Sequence, residues 1–72
     1  MELIKDNDGR EFEILESVNE YALLRVLDDD GNYKPFVVAH RIDKINGGWE
    51  SSTHYEDFEK AKASYDQKTD FI

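Results

Sequence analysis

Tyr21-Ala22-Leu23-Leu24-Arg25-Val26-Leu27, then Asp28-Asp29-Asp30-Gly31-Asn32, then Pro35-Phe36-Val37-Val38-Ala39-His40-Arg41-Ile42: this central stretch decides the fold. The first run is nearly continuously apolar over seven residues, which is strand length and short for a helix. Such a run suits a central strand covered on both faces or nearly so. The Asp-Gly pair that follows favours a tight hairpin connection. Pro35 has no N–H to give to a ladder, so it belongs at a strand start or an edge. Beyond it, alternation puts Phe36, Val38, His40 and Ile42 on one face and Val37, Ala39, Arg41 and Asp43 on the other. The centre of the chain therefore reads as two antiparallel strands.

Working outward toward the N-terminus, Arg10 to Glu16 alternates polar and apolar, with Phe12 and Ile14 inward and Glu11 and Glu13 outward. That is the period of a half-buried strand. Val18-Asn19-Glu20 interrupts the pattern between this strand and the next. Asp6-Asn7-Asp8-Gly9 is a turn signal, because glycine accepts φ > 0 and Asp and Asn close Asx-type turns. Only the short apolar pair Leu3-Ile4 precedes it. Toward the C-terminus, Asn46-Gly47-Gly48 signals another hairpin, and Trp49 to His54 reads as a further strand. Glu56 or Asp57 can cap a helix. Phe58, Ala61 and Tyr65 then fall on one helical stripe, with Glu59, Lys60, Lys62 and Asp66 toward water. Ala61 and Ala63 are small enough to let the helix approach a sheet closely. Residues 67–72 are expected to fray unless Phe71 and Ile72 dock.

Strands followed by a helix argue an α+β fold: a three- or four-stranded antiparallel meander with one C-terminal helix packed on one face. The 72 residues are expected to form one small domain. The expected core is Phe12, Ile14, Leu23, Val26, Val38, Phe58, Ala61 and Tyr65.

Charge is the sharpest compositional fact. Seventeen acidic residues face nine basic ones, for a formal net charge of −8. Direct binding to nucleic acid is disfavoured, since phosphates attract basic surfaces, whereas a protein partner with a basic surface is favoured by long-range steering. Plain solubility is the competing explanation of the charge. With no cysteine, disulfides and thiolate metal sites are excluded. No apolar run approaches a membrane span, and Met1 to Asp6 has no signal-peptide core, so the expected compartment is the cytoplasm and no membrane association is expected.

No catalytic machinery stands out, and the chain is expected to be no enzyme and to hold no cofactor. His40 and His54 lie on different strands without the tight spacing of metal ligands. Ser51, Ser52, Thr53 and His54 adjoin in sequence, but neighbours along a strand point to opposite faces. Asp28 to Asn32 invites a calcium reading, yet the sixth residue of that loop would be Tyr33 and the twelfth Ala39, where an EF-hand needs Gly and Glu. What remains is a surface. Glu11, Glu13, Glu16 and Glu20, with Asp28, Asp29 and Asp30 on the hairpin and Tyr33 beside them, are the candidate partner-binding residues. Together they would form a negative strip able to occupy a basic groove. Scattered apart, each would only keep its strand soluble.

Two resemblances accompany this reading. Pro35-Phe36-Val37-Val38, Trp49 and His54-Tyr55 before a short helix resemble a small domain of accessory proteins from phages and conjugative elements of Gram-positive bacteria. Leu24-Arg25-Val26, Asp30-Gly31-Asn32, Gly48-Trp49 and Tyr55-Glu56-Asp57 resemble small acidic anti-CRISPR proteins, some of which imitate DNA in charge and block a Cas nuclease. The resemblance implies a non-enzymatic inhibitor of a nucleic-acid-handling enzyme. The alternative is a structural role, as a homodimer or a subunit of a larger assembly that pairs through an open strand such as Glu50 to Thr53, which a monomeric state would remove.

Overall fold

A computed structural model describes residues 2–27 and 34–70. Five strands and one helix follow in chain order: β1 (Glu2–Lys5), β2 (Glu11–Val18), β3 (Tyr21–Val26), β4 (Phe36–His40), β5 (Ser51–Tyr55) and α1 (Phe58–Thr69). The strands form a single antiparallel sheet in the order β1-β2-β3-β4-β5, a meander in which every strand pairs with its chain neighbours. The α+β class and the C-terminal helix agree with expectation. The strand number does not, since there are five strands rather than three or four. The additional one is β1, whose single apolar pair is too short to show a period. It forms because the Asp6 carboxylate accepts from the amides of Asp8 and Arg10 at 2.9 and 2.8 Å and so closes the hairpin to β2.

The sheet is apolar on both faces at its centre. On one face Ile4, Phe12, Ile14, Ala22, Leu24, Val26, Val37 and Ala39 form a buried cluster, with Ile42 and Trp49 packed against it. On the other, Leu23 and Val38 meet Ala61 and Tyr65 of α1. This explains the unbroken run Ala22-Leu23-Leu24: all three are fully buried, and alternate residues serve different cores.

Two backbone irregularities redirect side chains. A register shift between Ile14 and Glu16 lets Leu15 pack on the helix side. Arg41 has φ of 60° and ends β4, and this break carries Ile42 into the cluster of Val37 and Ala39, opposite to the face that alternation from Phe36 assigns it. The connection from β4 to β5 then folds back to β1, where the Gly48 amide donates to the Lys5 carbonyl at 2.7 Å.

Three further expectations need correction. The last strand begins at Ser51, and Trp49 lies before it, set edge-on against Phe12 with ring centres 5.1 Å apart. Phe58 is not core. It is 42% exposed at the helix start, in edge contact with Phe36. Ala63 faces solvent, and only Ala61 provides the close approach to the sheet. Asp57 is the N-cap, its carboxylate accepting from the Lys60 amide at 2.8 Å.

Candidate protein-interaction surface

The ladder register shows where the acids stand. One cross-sheet row runs Glu13, Arg25, Phe36, Tyr55, and a row at the opposite end runs Val18, Tyr21, His40, Ser51. The first row ends beside Glu56 and the helix start, and Glu11 is two residues beyond Glu13 toward the same end. The second row is flanked by Glu20, Arg41 and Glu50. The carboxylates of β2 are thus distributed along the strand and do not gather at one place.

Their partners differ by end. Glu20 sits 3.3 Å from His40 and 3.7 Å from Arg41, and Arg41 also reaches Glu50 at 3.1 Å. His40 in turn stacks on Tyr21 at 4.5 Å. Hydrogen bonding to Glu50, reinforced by the charges of Glu50 and Glu20, raises the Arg41 pKa above its ordinary value. Glu16 pairs with Lys62 at 2.6 Å, and Lys62 pairs also with Asp66 at 2.9 Å. These two carboxylates, with Glu16 first, raise the Lys62 pKa. Burial pushes the Tyr65 phenol up, and Glu16 adds to it. Glu2 pairs with Lys44 at 3.1 Å. Glu13 bonds Arg25 across the strands at 2.7 Å.

Glu16 and Glu20, singled out as partner-binding, are therefore already matched by cations of this chain, and so is Glu13. Glu11 is exposed and has no ion-pair partner among the described residues. The same holds for Glu56 and Glu59 at the helix start. The sequence reading missed these last two because helix-start acids are ordinary capping residues. Their signal is register, which puts Tyr55 opposite Phe36. Asp28, Asp29, Asp30 and Tyr33 lie outside the described residues. Beside this end, Arg25, Val26, Leu27, Pro35 and Phe36 line a shallow groove of about 270 Å³.

Catalytic constellations do not assemble from the singled-out residues. His54 pairs in register with Val37 and His40 with Ser51, so the two imidazoles project from opposite faces. Among the described residues no group of three or more His, Asp or Glu side chains could hold a metal ion. No helix among them is long and apolar enough to cross a membrane.

The two sheet edges are unlike. The Leu27 amide donates to the Glu11 carbonyl and the Val26 amide to the Pro35 carbonyl. Antiparallel bonds alternate, so these two bonds set the direction of the amides in β1, β4 and β5, none of which pairs across the irregularity of β2. On β1 the outward groups belong to Leu3 and Lys5, and the Lys5 carbonyl is filled by Gly48. On β5 residues 51, 53 and 55 bond to β4, which leaves the N–H and C=O of Ser52 and His54 pointing away from the sheet. Ser51 to His54 are all exposed. A search of protein-family models, curated proteins and solved structures finds no match to this chain.

Proposed function

We propose that the chain is a non-enzymatic protein-binding module that presents acidic surface to a basic partner. The observation that carries this reading is the sorting of charge. Glu20 and Glu50 at one end of the sheet share Arg41, while at the other end, where Arg25 takes Glu13 and Lys60 takes Asp57, Glu11, Glu56 and Glu59 are exposed and outside any ion pair among the described residues. Exposed carboxylates outside ion pairs direct negative potential toward solvent and steer an oppositely charged surface during encounter. Phe58 and Phe36 lie beside them and add apolar contact area, the composition that interface centres favour. The resemblance to small acidic inhibitors extends the proposal: the partner is a nucleic-acid-handling enzyme, and the carboxylates stand where phosphates would.

The test compares wild-type protein with Glu11→Lys/Glu56→Lys/Glu59→Lys as immobilised bait in host lysate. A basic protein retained by the wild type, released by salt and not retained by the variant is the expected result. Retention that is equal for both baits contradicts the reading.

A further inference from the structure

We infer that β5 is a docking edge that takes an extended basic segment of a partner protein as a sixth strand. This rests on the acidic-surface reading above and assigns it a place.

A row of unpaired backbone groups is a template for another chain, and natural proteins blunt such edges with Lys, Pro, bulges or a covering loop. β1 is protected in these ways: it has only four residues, it carries Glu2 and Lys5, and Gly48 occupies its last outward carbonyl. β5 is one residue longer, carries no Asp, Glu, Lys or Arg, and among the described residues no other segment bonds to its outward backbone groups. Ser51-Ser52-Thr53-His54-Tyr55 contains no Lys and no Pro, and it pairs with β4 without a register shift. The helix does not cover the edge. Its anchor here is the Tyr55 hydroxyl at 2.7 Å from Ser64 Oγ, on the face of the sheet.

Charge selects the occupant. Glu50 precedes β5, and Glu56, Asp57 and Glu59 follow it. A second copy pairing antiparallel about Thr53 would set Glu50 of each copy opposite Glu56 of the other. Like charges directly opposed destabilise a strand pair, and each copy carries −8 overall. A lysine- or arginine-bearing strand meets the same carboxylates as counterions: Glu56 and Glu59 are outside any ion pair among the described residues, while Glu50 is shared with Arg41 and Asp57 with Lys60. Its side chains on the Trp49 face would enter a shallow groove of about 210 Å³ beside His54, which Asp6, Asp8 and Arg10 also line, two acids to one base. Backbone bonds to Ser52 and His54 supply register, and alternate side chains supply selectivity, as in strand-addition complexes generally.

The experiment titrates the full chain with an alternating lysine–valine peptide of β5 length, and with its glutamate–valine counterpart, followed by amide hydrogen exchange. With the lysine peptide, the Ser52 and His54 amides gain protection and the glutamate peptide does not bind. Ser52→Pro removes an outward donor without touching the β4 ladder, and weakens binding about tenfold, the loss of roughly one hydrogen bond. Exchange protection is read on the wild type as well, so the result does not depend on that variant folding. Salt-sensitive binding with no protection at Ser52 and His54 overturns the docking edge and leaves the acidic surface standing. Failure of the lysine peptide to bind at all overturns both. Protection of those amides without peptide, together with a dimeric mass, makes a second copy the occupant and overturns the inference.

Discussion

Gly47 has φ of +86°, and a Cβ there would stand 2.7 Å from the Lys5 carbonyl oxygen. That carbonyl is held by the Gly48 amide, so it cannot retreat without opening the join between β1 and the β4–β5 connection. Gly9 has a similar φ of +84° with nothing near its missing Cβ. Gly9→Ala is expected to cost only the left-handed penalty of about 1–2 kcal/mol, and Gly47→Ala to cost that and the displaced carbonyl. Urea midpoints check this, and equal midpoints would contradict it. In the same loop, Asp43 accepts from the Asn46 amide, the Asn46 side chain and the Ile45 amide, and these bonds, in that order, lower its pKa below the ordinary aspartate value. A lowered folded-state pKa contributes stability above the unfolded-state pKa, and that contribution disappears as pH falls through the folded value. Thermal melts of wild type and Asp43→Asn should therefore differ at neutral pH and converge in acid, below the ordinary aspartate range.

At the scale of the element, α1 is held by its cap and by one small residue. Asp57→Ala is expected to cost about 0.5–2 kcal/mol through the lost bond to the Lys60 amide. Ala61 is fully buried against the sheet, so Ala61→Leu overpacks the contact and is expected to cost about 1–3 kcal/mol. Denaturant unfolding of the two variants measures both. Elements with a strong local pattern were legible in the sequence: the alternation at Phe12 and Ile14, the double-sided run of β3, and the stripe of Ala61 and Tyr65. The misses share a physical cause. β1 is too short to have a period and owes its place to the Asp6 hairpin. Ile42 changes face because Arg41 takes positive φ, which no polar–apolar pattern encodes. Phe58 continues the helical stripe but lies at the helix start, where the sheet no longer covers it. Of the candidate surface, Glu11 was legible as an exposed strand acid. The pairing of Glu13, Glu16 and Glu20 was not, because their cations come from β3, α1, β4 and the residue after β4, all distant in sequence.

For the whole molecule, the net charge of −8 matters less than its arrangement. Arg41, Lys44 and Lys62 sit among the acids of one end and strand connection, and exposed pairs of this kind contribute little to stability. They leave Glu56 and Glu59, beside the helix start and next to the edge of β5, outside any ion pair among the described residues, with the neighbouring Lys60 paired to Asp57. Docking a basic strand there joins the two features into one surface, with charge guiding encounter and backbone bonds setting register. The measurement that tests this most directly is the dissociation constant of the lysine–valine peptide, read by fluorescence anisotropy at low and at physiological ionic strength. The account predicts a dissociation constant that rises steeply with salt in the wild type, because exposed charges are screened within about a Debye length, and weak binding at both salts for Glu56→Lys/Glu59→Lys. A dissociation constant indifferent to salt, or unchanged in that variant, would contradict it.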